Sequence, residues 1–310
     1  MVVYVLLTAI GLVLLTWAAD HLILGSSRLG RQLRVSPVVI GVVVIGLGTS
    51  TPELLVSGLA AVRDEPGLAV GNLVGSNILN LSLLLGIAAV IAPVPVATSV
   101  IRREVPLAVA SVLLFGLLTL SGLDVRAAVV LAAACVVALW LLIRWARADQ
   151  PEPAQDVREP AGRWWVEPLR ALLGLAGVLA GAQMLVVGAS AGAAALGVSP
   201  AVIGFTLVAI GTSLPELVTT IQAQRRGESD LVVGNLFGSN LFNGLAGGAV
   251  IGFADRAGVA HGQATLVIVM MSGALLAGVL LIRGRRLTRR DGLVLGVAYL
   301  AAFPLLLSAT

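Results

Sequence analysis

A stretch of 46 residues occurs twice in this chain. Residues 35–80 overlay 198–243 at a constant offset of 163 with no gap, and 24 of the 46 positions are identical. VSPVVIG (35–41) matches VSPAVIG (198–204), GTSTPEL (48–54) matches GTSLPEL (211–217), and GNLVGSNILN (71–80) matches GNLFGSNLFN (234–243). Generic apolar composition can align apolar residues with each other. It cannot place Pro, Glu, Asn and Ser in register twice. The chain is a duplication, and its two copies must adopt one fold.

The setting of these copies is apolar. The chain is 58% hydrophobic and 12% charged, against about 25% charged residues in soluble domains. A membrane-crossing helix needs roughly 20 mostly apolar residues. Ten such runs fit, near 2–27, 36–62, 67–91, 104–121, 124–145, 166–195, 199–224, 230–252, 262–282 and 291–309. The first lacks the basic start of a signal peptide and reads as a retained span. The polar, proline-rich segment ADQPEPAQDVREPAGR (148–163) reads as a linker, too short to be a domain. Cys135 is the single cysteine, so no intrachain disulfide can form, and it reads as apolar filler.

The expected fold is an all-α integral membrane protein with ten transmembrane helices. The parts are a first five-helix repeat (1–147), a cytoplasmic linker (148–163) and a second five-helix repeat (164–310). Five is odd, so the second repeat enters the membrane inverted. Inverted repeats are a transporter architecture, with the site near the midplane where the repeats meet. Arginine placement sets the orientation. With both termini outside, 17 arginines fall on the inner side and only Arg63, Arg126 and Arg256 on the outer side. That bias follows the positive-inside rule. It also accounts for the net charge of +4, carried entirely by arginine, without nucleic acid as a partner. The expected location is the cell membrane as a multi-pass protein, most simply the bacterial cytoplasmic membrane.

The repeated motifs put chemistry inside two spans. Pro52 has no N–H and crowds the carbonyl of Gly48 four residues back, and Pro215 does the same beside Gly211. In lipid, a carbonyl without a donor costs several kcal/mol unless protein, water or an ion satisfies it. Thr49 and Glu53 share a helix face with Ser50 beside it, and Thr212, Ser213 and Glu216 repeat this. Ser76 and Asn80, and Ser239 and Asn243, are each four apart on one face. The donors are all oxygen, with no Cys and no nearby His. That set suits a hard cation such as calcium or sodium, not zinc or copper. Two ionised glutamates carry −2, which one Ca²⁺ or two Na⁺ would balance. The competing reading is protonation, since no arginine lies within a span core to pair with them. For the hydroxyls the competing reading is bonding to their own helix. For Asn72, Asn77, Asn235 and Asn240 helix-to-helix hydrogen bonds are the favoured reading.

These paired segments resemble the two alpha repeats of the sodium/calcium exchangers of the cation/calcium exchanger superfamily, in its prokaryotic type without a regulatory domain. The resemblance covers the whole chain. It implies that Glu53 and Glu216 are the central calcium ligands, joined by carbonyls of Thr49 and Thr212. It implies sodium sites at Ser50, Ser76, Ser213 and Ser239, with carbonyls of Gly46 and Ala209, and places Asn80 at the centre. It also implies that spans one and six slide past the other eight. Position 243 is Asn where several microbial and potassium-dependent members carry Asp, which removes an acidic sodium or potassium ligand.

The resulting expectation is a non-enzymatic antiporter that moves Ca²⁺ and Na⁺ as substrates. It would need no cofactor, act electrogenically without potassium, and extrude calcium. A monomer in the bilayer suffices for this scheme. A calcium/proton antiporter of the same superfamily is the alternative, and an intramembrane enzyme using two carboxylates is a third, opposed by the lack of a nucleophile or activating His. Asp20, which aligns with Gln183, is expected to pair with Arg28 or to face water. Glu104 is expected at an interface beside Arg102 and Arg103, and His21 and His261 are not expected to relay protons. Trp140, Trp145, Trp164 and Trp165 read as interface anchors.

Overall fold

The computed structural model describes residues 1–148, 163–198, 209–254 and 264–308. In chain order its helices are α1 (Val2–Leu33), α2 (Pro37–Thr49), α3 (Thr51–Val62), α4 (Pro66–Ile91), α5 (Thr98–Ser121) and α6 (Val125–Ala148). They continue as α7 (Val166–Ala195), α8 (Ala209–Thr212), α9 (Leu214–Arg225), α10 (Ser229–Ala254), α11 (Ala264–Gly284) and α12 (Arg289–Ser308). Two short strands, β1 (Val94–Pro95) and β2 (Arg286–Leu287), pair antiparallel and bury Val94 against Leu287. No sequence pattern marked this pairing.

Seven of the described helices are long and apolar enough to cross a membrane, and α2 with α3, bent by 46°, makes an eighth. Of the ten expected spans, the seventh begins in residues 199–208, outside the described residues. The tenth, α12, opens with Arg289, Arg290 and Asp291. The expected linker 148–163 lies, apart from its two ends, outside the described residues. The first span is longer than expected: α1 continues to Leu33 and ends on Arg34 in a left-handed conformation, φ 54°.

Burial sorts the helices into two layers. In α4 and α10, 72% and 83% of the most apolar window is buried inside the protein, against 22% in α1 and 28% in α6. A helix that is apolar all round and enclosed belongs to the core. The outer helices present side chains such as Val13 and Leu172 to the surroundings, as lipid contact requires. The outer pair α1 and α7 pack backbone to backbone. A Cβ on Gly181 of α7 would lie 2.5 Å from the Leu15 amide nitrogen of α1, so only glycine permits this approach.

The core helices are irregular at matched places. The helical path breaks at Ser50 (φ −78°, ψ 0°) and again at Ser213 (φ −93°, ψ 7°), each two residues before a proline. A π-helical turn opens at Asn80 (Asn80–Leu84) and another at Asn243 (Asn243–Gly247). Single π turns inside α-helices concentrate at functional sites. Both breaks lie in the duplicated segments, both of these π turns open on the segments' last residue, and a further π-helical stretch spans Gly41–Gly46 at the approach to the first break.

Candidate ion-binding site

The α2–α10 crossing sets the site. A Cβ on Gly46 would lie 2.9 Å from the amide nitrogen of Ser239 and 3.0 Å from the carbonyl oxygen of Asn235. Without side chains in the way, the first repeat's broken helix lies directly on the second repeat's core helix. Thr49, Ser50 and Glu53 then meet Asn235, Ser239 and Glu216.

Each glutamate is held by a serine of the other repeat. Ser50 Oγ donates to Glu216 Oε1 at 3.1 Å, and Ser213 Oγ donates to Glu53 Oε1 at 3.1 Å. Ser239 Oγ lies 3.4 Å from Glu216 Oε1, and Ser76 Oγ lies 3.4 Å from Ser213 Oγ. Thr49, Ser50, Glu53, Ser76, Asn80, Ser213, Glu216, Ser239 and Asn243 are all buried. Thr212 is half-buried, unlike its counterpart Thr49. Ala209, the counterpart of Gly46, opens α8 directly after residues outside the described set.

Several site atoms find no partner among the described residues. They are Oε2 of Glu53, Oε2 of Glu216, and both amide atoms of Asn80 and of Asn243. Buried polar atoms are normally paired, so a cluster of this kind needs an explanation. Among the described residues no arginine or histidine forms an ion pair with either glutamate. The unmatched acceptors, two carboxylate and two amide oxygens, are hard oxygen donors suited to Ca²⁺ or Na⁺.

The backbone at the break departs from expectation: the Gly48 carbonyl, four residues before Pro52, still accepts a backbone N–H at the cap. The Gly46 carbonyl keeps its helical donor, the Ser50 N–H at 3.2 Å, and also accepts from Ser239 Oγ at 3.2 Å. The helix bends at Ser50 without freeing that carbonyl, because Ser50 itself still has helical φ and retains its own bond. Thr49 Oγ1 is within reach of the Ile45 carbonyl at 3.0 Å and of Asn235 Oδ1 at 3.2 Å, so its hydroxyl is engaged by protein.

A second layer of side chains supports the glutamates. Asn72 Nδ2 donates to the Glu53 carbonyl at 3.1 Å and to Ser57 Oγ at 2.9 Å. Its counterpart Asn235 lies 3.4 Å from the Glu216 carbonyl and 3.1 Å from Thr220 Oγ1. These are helix-to-helix contacts. Asn77 also reaches across helices, from α4 to Met270 Sδ of α11 at 3.5 Å, whereas Asn240 donates to the Leu236 carbonyl of its own helix at 2.6 Å. Sequence reasoning passed over Ser57 and Thr220. Their signal was available: each lies four residues after a site glutamate, on the same helix face.

Outside the site, Asp20 does not pair with Arg28. It binds Arg226 through two bonds, Nε to Oδ1 at 2.7 Å and Nη2 to Oδ2 at 2.6 Å. Arg28 instead meets Glu167 at 3.2 Å. His21 lies over Trp17, with ring centroids 4.2 Å apart.

Comparison with known proteins agrees with this geometry. The family model described as "Sodium/calcium exchanger protein" matches residues 3–146 and 167–307. CaxA of Alkalimonas amylolytica, named as an antiporter, is 37% identical over 326 residues, covering 100% of both chains. Sodium/calcium exchanger MaX1 of Methanosarcina acetivorans is 29% identical over 96% of both. The solved structure of the sodium–calcium exchanger NCX_Mj, soaked with 10 mM Na⁺ and no Ca²⁺, superposes with a TM-score of 0.87 at 32% identity, covering 98% of each chain. The duplicated helices, the crossed serine–glutamate bonds and these likenesses together make the chain a member of the sodium/calcium exchanger family, a multi-pass membrane antiporter.

Proposed function

We propose that this chain exchanges sodium for calcium by alternating access, with Glu53 and Glu216 as the central ion ligands. The observation that supports this best is the crossed Ser50–Glu216 and Ser213–Glu53 pairing. It leaves one oxygen of each carboxylate, and the amides of Asn80 and Asn243, without a partner among the described residues. Ca²⁺ takes about 6–8 oxygen ligands. The carboxylates with the carbonyls of Thr49 and Thr212 serve calcium. Ser50, Ser76, Ser213 and Ser239, with the carbonyls of Gly46 and Ala209, serve sodium, and Asn80 and Asn243 sit between the two sets. A sodium ion beside Gly46 takes the carbonyl and the Ser239 hydroxyl together, replacing the bond between them.

The same two negative charges serve either one Ca²⁺ or two Na⁺, so the ions compete. If more than two sodium ions exchange for one calcium, charge moves in each cycle. Asn243 brings no charge for a potassium ion. In this reading ten helices cross the membrane and both termini lie outside. The repeats, 1–147 and 164–310, are inverted and joined by 148–163 in the cytoplasm. With the sodium gradient directed inward, calcium leaves the cell. A monomer completes the cycle.

The test is calcium flux in reconstituted vesicles, with sodium and pH gradients imposed separately. Flux driven by sodium alone supports the proposal. Flux that follows only the pH gradient assigns the chain to calcium/proton antiport.

A further inference from the structure

The two ends of the molecule are not equivalent, although the repeats that build them are. Ser27 of α1 donates a hydrogen bond to Glu228, in the turn between α9 and α10. The repeat counterparts of these residues are Ser190 and Glu65, identical in type. That mirror bond is not made: Ser190 Oγ is buried without a partner, and Glu65 is exposed. One sequence relation thus yields a contact at one end and none at the other. The outer helices are docked on the core at the end that carries Arg28, Arg31 and Arg34.

Among the described residues, the ion pair between the outer helices and α9 forms at that end. Asp20 and Arg226 form a two-bond contact between α1 and the end of α9, at 2.6 and 2.7 Å. Their counterparts are Gln183 and Arg63. Gln183 has no charge to offer an arginine, so the mirror ion pair cannot form in any arrangement. Asp20 stands on a unit that can move as one body. α1 and α7 pack through glycine contacts such as Gly181 on Leu15, and Arg28 and Arg170 both meet Glu167 at 3.2 Å. The ties from this unit to Arg226 and Glu228 are polar and partly exposed, with Asp20 and Arg226 side chains 36% and 34% accessible. Such ties break at low cost.

We propose that Asp20 and Arg226 form a one-sided latch. It holds the arginine-rich end closed and biases the resting protein toward the state open at the opposite face. The proposal rests on the alternating-access reading above. A ligand's apparent affinity at one face scales with the fraction of protein open to that face. Removing the latch must therefore move the two faces in opposite directions. A general loss of packing would not.

The experiment measures the half-saturating calcium concentration at each face, in vesicles of both orientations. Asp20→Asn and Arg226→Gln should each lower it at the arginine-rich face and raise it at the other. The ratio of the two half-saturating concentrations should change about two- to five-fold, the range for a partly exposed pair with good geometry. The exchanged pair Asp20→Arg with Arg226→Asp should restore the wild-type values. Shifts in the same direction, or none, overturn the latch. A second readout does not depend on which ion is transported. Ser26 is buried at the latched end. In a Cys135→Ala background, Ser26→Cys should react faster with an impermeant maleimide from the arginine-rich face once Asp20→Asn is added. An unchanged rate overturns the latch even if calcium proves not to be the substrate. Absence of calcium flux in the wild type, together with faster labelling on adding Asp20→Asn, refutes the ion assignment and keeps the latch.

Discussion

Replacing Glu53 with Gln separates the charge of the site from its shape. The side chain keeps its length, and its amide can still meet Ser213, now 3.1 Å from Oε1. What is lost is one of two buried negative charges. At an effective dielectric of about 20, a unit charge about 4 Å from a divalent ion contributes ~8 kcal/mol, and half that for a monovalent ion. Discounting by half for the lost hydration of the carboxylate leaves ~4 kcal/mol for Ca²⁺ and ~2 kcal/mol for Na⁺. At about 1.4 kcal/mol per tenfold, calcium affinity falls about a thousand-fold and sodium affinity about thirty-fold. Folding should survive, because a neutral amide is cheaper to bury than a carboxylate. The assay pairs calcium–calcium exchange in vesicles with thermal melting in detergent. Calcium at a hundred times its dissociation constant stabilises wild type by about 2.7 kcal/mol through mass action. The variant should show no such shift at the same concentration, with an unchanged melting point in calcium-free buffer. Calcium exchange within threefold of wild type in folded Glu53→Gln would refute the reasoning.

Three further outcomes follow from the same geometry. Gly46→Ala forces a Cβ into the backbone of Ser239 and Asn235; overpacking of this kind costs about 1–3 kcal/mol, so both melting temperature and transport should drop, and unaltered transport would show that the α2–α10 crossing does not set the site. Acid should inhibit exchange at a fixed sodium gradient, since a proton on Glu53 or Glu216 removes a charge the cation needs; a rate that climbs steadily toward pH 5 would favour proton coupling instead. Transport should carry net charge and run without potassium on either side, because Asn243 and Asn80 are neutral; uptake that vanishes without potassium and returns when it is added would overturn the reading of Asn243.

The duplicated motifs made the site legible because duplication supplies an internal control. Pro, Glu, Ser and Asn recurring at one offset mark the same helix faces twice, and the structure brings Ser50 to Glu216 and Ser213 to Glu53. Helix periodicity could place Thr49 beside Glu53 on one face, but it could not choose the partner across the interface. Asp20 shows that limit. Its partner Arg226 lies 206 residues away, and no local pattern separates it from the nearer Arg28. The Gly46 carbonyl shows another. Proline chemistry predicts that Gly48 loses the donor four residues on; the φ and ψ of Ser50, which the motif does not encode, bring another backbone N–H to it and keep the Gly46 carbonyl bonded. The β1–β2 pairing escaped notice because two residues per strand carry no periodicity.

In the proposed cycle Glu53 and Glu216 jointly hold one calcium ion in competition with sodium. Equilibrium binding of radioactive calcium to the purified protein tests it directly. The expected result is one Ca²⁺ per chain, displaced by sodium with a Hill coefficient above one, and no measurable binding in Glu53→Gln with Glu216→Gln. Two or more tightly bound calcium ions per chain, or binding that persists in the double variant, would contradict it.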